Sequence, residues 1–261
     1  MGDDALSRPD VLGLFDLTGR VAVVTGGSRG IGLAVARGFA AVGAKVVVAS
    51  RKAEACERAE AALQQGGAEA LGVPTHMGDL DQVRALVERT VERFGRVDVV
   101  VNNAANALAL PLGSITPEAL EKSHGTNLRG PLFLVQEALP SLRAGGHGAV
   151  VNVISAGVFM HSAGLSLYAS AKSGLLALTR SMAAELAPDG IRVNALAPGT
   201  VDTDMVRNTD PAAQDRMATV SLLQRMATPE EMIGPALFLA SDASSYVTGQ
   251  VLVADGGLTF R

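Results

Sequence analysis

One cysteine, no tryptophan and only 3% aromatic residues set the first limits on this 261-residue chain. Cys56 alone cannot make an intrachain disulfide, so no covalent staple supports the fold, and a lone thiol fits the reducing cytoplasm. An excess of positive charge is missing too: 22 Lys and Arg face 26 Asp and Glu, a net charge of -4. Nucleic-acid binding rests on clustered cations, which this balance does not offer. No apolar run approaches the roughly 20 residues that cross a bilayer, so no membrane span is expected. The opening Met-Gly-Asp-Asp-Ala-Leu-Ser-Arg-Pro carries acids where a signal or transit peptide needs basic residues, and is expected to be neither. The histidines, His76, His124, His147 and His161, lack metal-ligand spacing, so no metal site is expected. A chain that is 48% hydrophobic and this long can bury about three quarters of its unfolded surface without help.

Short valine-rich runs are plentiful instead. They fall at Arg20–Thr25, Lys45–Ser50, Ala70–Thr75, Val97–Val101, Ala149–Ile154, Ile191–Ala195 and Gln250–Ala254. Continuous rather than alternating hydrophobicity suits strands covered on both faces. Between them lie amphipathic stretches at Gly30–Val42, Ala53–Gln65, Asp81–Phe94, Leu128–Leu142 and Tyr168–Ala187. This alternation predicts an α/β fold: a single doubly wound Rossmann-type domain with a parallel sheet of about seven strands. Residues 1–17 read as an N-terminal extension and 18–261 as a dinucleotide-binding catalytic domain. Residues from about 203 to 228 break the alternation, which fits a substrate loop or a structural helical insertion equally.

The first strand runs into Gly26-Gly27-Ser28-Arg29-Gly30-Ile31-Gly32 and then a helix. Glycines there permit a tight turn, and backbone N–H groups can approach a diphosphate at the positive end of the helix. The same residues spell G-x-S-x-G around Ser28, the pattern of a hydrolase nucleophile elbow. That reading needs a later acid and histidine, yet His161 is the last histidine, and only 25 residues precede Gly26. The second strand ends at Ala49-Ser50-Arg51-Lys52 with no acid before Glu54 to hold an adenosine ribose. Arg29 and Arg51 offer forks for a 2′-phosphate, so NADP is favoured over NAD, although both arginines also read as solvated surface charges.

The chain holds 2 tyrosines and few lysines, yet Tyr168 and Lys172 stand four apart on one predicted helical face. Chance would give such a pair roughly 0.03 times. A free phenol, with a pKa near 10, exchanges protons poorly at neutral pH. A nearby ammonium is expected to lower it and suit the pair to acid–base work on an alcohol or ketone oxygen. Ser155 closes the strand Ala149–Ile154, Asn102-Asn103-Ala104-Ala105 closes Val97–Val101, and Asp79 follows the third strand. In a parallel sheet these carboxyl ends meet at one crevice.

Taken together, these residues resemble the short-chain dehydrogenase/reductase family over residues 18–258. The matching motifs are Thr25–Gly32, Asp79-Leu80, Asn102–Ala105, Asn127, Ser155, Tyr168-x-x-x-Lys172, Pro198-Gly199 with Thr203, and Thr248-Gly-Gln with Asp255-Gly-Gly257. Ala105 departs from the family's usual glycine. The resemblance implies hydride transfer between NADP(H) and a carbonyl or secondary alcohol, with Tyr168 exchanging the proton. It implies that Lys172 holds the ribose hydroxyls, that Ser155 bonds the carbonyl oxygen, and that Asn127 holds a water relaying protons from the lysine. Gly26, Ser28, Arg29, Gly30, Ile31 and Gly32 would cradle the diphosphate. Asp79 and Leu80 would meet the adenine, Asn103 the adenosine side, and Pro198, Gly199, Val201 and Thr203 the carboxamide or diphosphate.

The substrate is less legible. The general likeness is to 3-oxoacyl thioester reductases, but the positions where carrier-protein enzymes place arginines fall near Gly146 and Asp189, which cannot attract an anionic carrier. A small ketone or secondary alcohol is therefore expected, met by Phe159, Met160, Leu165, Met205 and Met217. Leu222 and Met226 are expected to be core residues, and His161 a solvated loop residue. A thioester reductase and a non-catalytic NADP-binding sensor are the alternative readings; an intact Tyr-Lys pair argues against the sensor. Family members commonly form homotetramers, and Ala- and Leu-rich faces on Leu128–Leu142 and Tyr168–Ala187 fit this, as they fit ordinary core burial.

Overall fold

Valine and isoleucine pack well on a pleated surface, and strands screened from water on both faces can be apolar throughout. The computed structural model, which describes residues 6–161 and 163–259, realises that arrangement. In chain order it places α1 (Arg8–Gly13), β1 (Val21–Thr25), α2 (Gly30–Ala41), β2 (Lys45–Ser50), α3 (Ala53–Gln65), β3 (Ala70–Pro74), α4 (Leu80–Phe94) and β4 (Val99–Asn102). Then come α5 (Pro117–His124), α6 (Gly130–Gly145), β5 (Ala149–Val153), α7 (Ser166–Leu186), β6 (Arg192–Pro198), α8 (Asp204–Arg207), α9 (Pro211–Thr219), α10 (Ile233–Ala240) and β7 (Val251–Ala254). The seven strands form one parallel sheet in the order β3-β2-β1-β4-β5-β6-β7.

Each strand sends alternate residues to two cores. Ala22, Val24, Val46 and Val48 pack with Val35 and Phe39 of α2, and with Leu239 of α10. Val21, Val23, Val47 and Val100 pack on the opposite face with Leu86 of α4 and Leu134 and Leu142 of α6. The reversal of strand order between β1 and β4 opens the crevice at their carboxyl ends, as the sequence predicts.

The limits differ from expectation where side chains at the margins find core. β6 runs to Pro198 rather than stopping at Ala195, and all its residues after Arg192 are buried. Leu17 is fully buried and its N–H bonds the Val42 carbonyl at 2.8 Å, so packed structure begins one residue earlier than 18. The segment expected as one helix from Leu128 is reached through α5 and a π-turn, Gly125–Arg129, before α6 begins. The interval 203–228 holds two short helices, α8 and α9.

Asp98 pins the amino end of the sheet. It is 1% exposed, accepts the Val21 N–H at 2.9 Å and takes the Arg96 Nε at 2.8 Å. Removing it leaves a buried donor without its acceptor. Asp98→Ala is expected to cost about 2 kcal/mol of stability in urea unfolding, and a loss near zero would contradict this role.

Candidate active site

The carboxyl end of β1 is held from behind. Thr25 Oγ1 accepts the N–H groups of Asn103 and Ala104, both at 3.0 Å. Asn103 Nδ2 donates to the carbonyls of Thr25 at 2.8 Å and Gly26 at 3.4 Å. Asn103, expected on the adenosine side of the cleft, therefore spends its amide on the glycine turn. Gly26 sits at φ +65°, and a Cβ on Gly32 would collide with the Gly26 carbonyl and the Asn103 amide. No side chain caps α2. Its first N–H groups, at Gly30, Ile31 and Gly32, thus face the crevice edge as a concave set of donors that fits a dinucleotide diphosphate. Ser28 lies in the turn, half-buried, and Ile31 packs its side chain on the core.

Around this turn the charged residues are exposed. Arg29 Nη1 meets Asp204 Oδ2 at 2.8 Å across the mouth of the crevice, and Arg51 stands exposed just beyond β2. Asp79 caps α4, accepting the N–H groups of Asp81 at 3.1 Å and Gln82 at 3.2 Å. The bond from the Gln82 backbone is the largest cause holding that carboxyl below its ordinary range. Leu80, half-buried, opens the helix beside it.

Across the crevice, α7 carries Tyr168 and Lys172 on one face. The Lys172 amine is fully buried and donates to the Val153 carbonyl at 2.7 Å. Burial lowers it from 10.5 to about 7. Its nitrogen lies 5.8 Å from the centre of the Tyr168 ring. Tyr168 shows part of its surface to the cleft, but protein crowds its hydroxyl and pushes the phenol up to about 12, against a lowering pull from the Ser155 hydroxyl. This corrects the expectation that the lysine brings the phenol down: desolvation outweighs every attraction that the protein itself supplies. Ser155 Oγ also accepts the Gly157 N–H at 3.0 Å, which fixes it at the end of β5.

The structure adds Asn152, Thr179 and Asn106 to the residues that the sequence singles out. Asn102 Nδ2 donates to Asn152 Oδ1 at 2.8 Å, and Asn152 Nδ2 donates to Thr179 Oγ1 at 2.9 Å. All three are buried, so β4, β5 and α7 are tied together beneath the catalytic candidates. Polar residues inside apolar runs are the sequence signal, visible at Asn152 and silent at Thr179. Asn127, fully buried in the π-turn, is clasped by Asn106: its Oδ1 accepts the Asn106 N–H at 3.1 Å and its Nδ2 donates to the Asn106 carbonyl at 2.9 Å. Its side chain is thereby committed to protein.

The segment after β6 folds back over the crevice. Pro198 ends the strand, and a Cβ on Gly199 would meet the Asp255 Cα at 2.7 Å, so the two segments touch there. Val201 pairs with Ala227, and the Thr203 side chain faces Gly30. Leu222 is 67% exposed and is not core, contrary to expectation, while Met226 is half-buried. Its neighbours Val220 and Leu223 are exposed as well, which is what a surface loop with apolar side chains looks like. His161 is exposed, as expected. Among the described residues no cluster of His, Cys, Asp and Glu could hold a metal, and no helix is long and apolar enough to cross a membrane.

Comparison with known proteins agrees with this geometry. A family model described as enoyl-(acyl carrier protein) reductase matches residues 26–259. The chain is 37% identical to human dehydrogenase/reductase SDR family member 4, over 100% of this chain and 93% of that protein. It is 42% identical to cis-4-hydroxycyclohexanecarboxylate dehydrogenase of Sinomonas cyclohexanicum, over 92% and 96%. A gluconate 5-dehydrogenase from Burkholderia cenocepacia, solved with NADP and tartrate, superposes with a TM-score of 0.90 at 34% identity, covering 95% of this chain and 98% of its own. The chain belongs to the short-chain dehydrogenase/reductase family and is an NAD(P)-dependent oxidoreductase of alcohols and carbonyl compounds.

Proposed function

We propose that this chain uses NADP(H) to interconvert a small ketone and a secondary alcohol, with Tyr168 as proton donor and acceptor. One observation carries the reading: Ser155, Tyr168 and a fully buried Lys172 stand together opposite an uncapped, glycine-lined helix start. When bound, NADPH supplies the hydride. The N–H groups of Gly30, Ile31 and Gly32, with Gly26 and Ser28 in the turn, hold its diphosphate. Asp79 and Leu80 border the adenine, and Asn103 acts there through the turn it braces. Pro198, Gly199, Val201 and Thr203 border the nicotinamide end. Arg29 and Arg51 meet the 2′-phosphate, and no acid stands at the end of β2 to oppose it.

Tyr168 gives its phenolic proton to the substrate oxygen while Ser155 hydrogen-bonds that oxygen as charge develops. A phenol raised to about 12 keeps its proton at neutral pH, which suits it to the reductive direction. Lys172 holds the ribose hydroxyls and returns a proton toward the phenol, and Asn127 holds the water that recharges the lysine. Asp189 is paired with Arg143 at 2.7 Å and Gly146 is a left-handed helix cap, so neither offers a cation to an acidic carrier. That supports a free small molecule rather than a carrier-bound thioester, approached through Phe159, Met160, Leu165, Met205 and Met217. We further propose a cytoplasmic homotetramer. The lone buried thiol of Cys56 supports the compartment, and the half-exposed apolar strand β7 supports the assembly.

The test is to follow oxidation of NADPH or NADH by the purified chain across ketones, diketones and 3-oxoacyl thioesters. Turnover with a ketone and NADPH is expected, and Tyr168→Phe is expected to lower it at least about 100-fold while cofactor binding survives. Undiminished turnover in that variant removes Tyr168 from the chemistry. Arg51→Ala is expected to weaken NADPH roughly tenfold, with NADH unchanged in a fluorescence titration; equal effects on both would remove the 2′-phosphate contact.

Lys172 makes a separate prediction about stability. Between about pH 7 and 10.5 the unfolded chain binds a proton that the folded amine does not, so wild-type stability rises with pH across that window. Lys172→Met lacks this slope. Its stability relative to wild type is therefore expected to fall by a few kcal/mol, on the order of the pKa difference, as pH climbs from 7 to 10.5. Urea unfolding of both proteins measures it, and a pH-independent difference would show that the amine stays charged when folded.

A further inference from the structure

Arg29 and Asp204 come from distant parts of the chain and meet beside the glycine turn. Arg29 precedes α2, and Asp204 opens α8, 175 residues later. The Thr203 side chain lies against Gly30, so α8 starts next to the first turn of α2. Among the described residues, Arg29 is the one ion-pair partner of Asp204, and Asp204 the one partner of Arg29. Arg207 of α8 spends its fork on Asp202 instead, with Nε 2.7 Å from Oδ1 and Nη2 3.0 Å from Oδ2.

The sheet order gives this pair a direction. On one side of β1 lies β2, and on the other side β4, β5 and β6 follow. Arg51, just beyond β2, marks the side on which a 2′-phosphate would sit. Asp204 reaches the turn with the segment that leaves β6, from the opposite side. Held by Asp204, the Arg29 guanidinium is drawn toward the β6 side of the turn. An arginine fork suits a carboxylate and a phosphate alike.

We propose that Asp204 is a cofactor-specificity residue that acts through Arg29: its carboxylate competes with the 2′-phosphate of NADPH for the guanidinium and so restrains the preference for NADPH over NADH. The proposal rests on the reading that Arg29 and Arg51 meet that phosphate, and extends it to a carboxylate that opposes them. NADH carries no phosphate at that position and leaves the Arg29–Asp204 pair intact. NADPH gains Arg29 only by drawing it off Asp204. Both side chains are well exposed, at 68% and 48%, and exposed pairs are weak. The competition is therefore worth a few-fold in affinity and does not block the cofactor.

Fluorescence titration with NADPH and with NADH reads the competition without turnover. Asp204→Asn keeps the shape and loses the charge; it is expected to tighten NADPH about threefold and leave NADH unchanged. Asp204→Glu keeps the charge and is expected to bind both cofactors as the wild type does. In an Arg29→Ala background, Asp204→Asn is expected to change the affinity for neither. A crystal structure with NADPH should place the Arg29 guanidinium on the phosphate and off Asp204. NADPH affinity that is unchanged or weakened in Asp204→Asn overturns the proposal, and weakening would mean that Asp204 presents Arg29 to the phosphate. A gain shared equally by NADH, or one that survives in Arg29→Ala, assigns Asp204 to general repulsion of the cofactor and overturns it equally. If Arg29→Ala and Arg51→Ala each weaken NADPH and NADH alike, the 2′-phosphate reading itself falls, and the proposal with it.

Discussion

A primary amine is sealed inside this protein, with the Val153 carbonyl to receive it. Hydrated ammonium groups resist such transfer, and burial alone brings this one down to about 7. Helix α7 makes the position tenable: 21 residues long, it lies on β5 and β6 and sets the depth of the amine against the sheet. The phenol one turn earlier is carried with it. The pair can therefore be displaced only by moving the longest helix among the described residues, and small displacements at a reacting centre are costly.

The opposite wall of the crevice is built on the reverse principle. There the side chains of Asn103 and Thr25 fasten the glycine turn from the rear, which leaves the backbone N–H groups of the helix start to the cleft. A main-chain donor cannot titrate or rotate away, which suits it to a permanently charged diphosphate. The wall that carries Tyr168 and Lys172 is made of groups whose protonation depends on burial. Asn102, Asn152 and Thr179 couple the two walls through the sheet beneath them.

Much of this is legible in the residues, and the exceptions have physical causes. The limits of β2 and α3 read from hydrophobic pattern agree with the structure residue for residue, because an apolar run bounded by polar residues has few other places to sit. Tyr168 and Lys172 stand out because both residue types are scarce here. Helix α5 escapes the same reading: Ser123 is its single buried residue, so it lacks an apolar stripe. The clasp of Asn127 by Asn106 joins positions 21 apart, and the Asn152–Thr179 bond joins positions 27 apart, separations at which no periodicity speaks. Leu222 departs from expectation because apolar character alone does not say whether a loop folds inward. The upward shift of the Tyr168 phenol escapes the sequence because charge attraction is visible there and desolvation is not.

The backbone bridge between Val201 and Ala227 has a further meaning. The Asp202 N–H meets the Ala227 carbonyl and the Ala227 N–H meets the Thr200 carbonyl, both at 2.9 Å, so the chain between them leaves and re-enters the domain at one spot. Lengthening a loop that is closed at its neck costs little in closure entropy. The segment between the two bonds can thus change length without disturbing the sheet. The sheet, the amine and the glycine turn can therefore stay constant while the length of that segment changes.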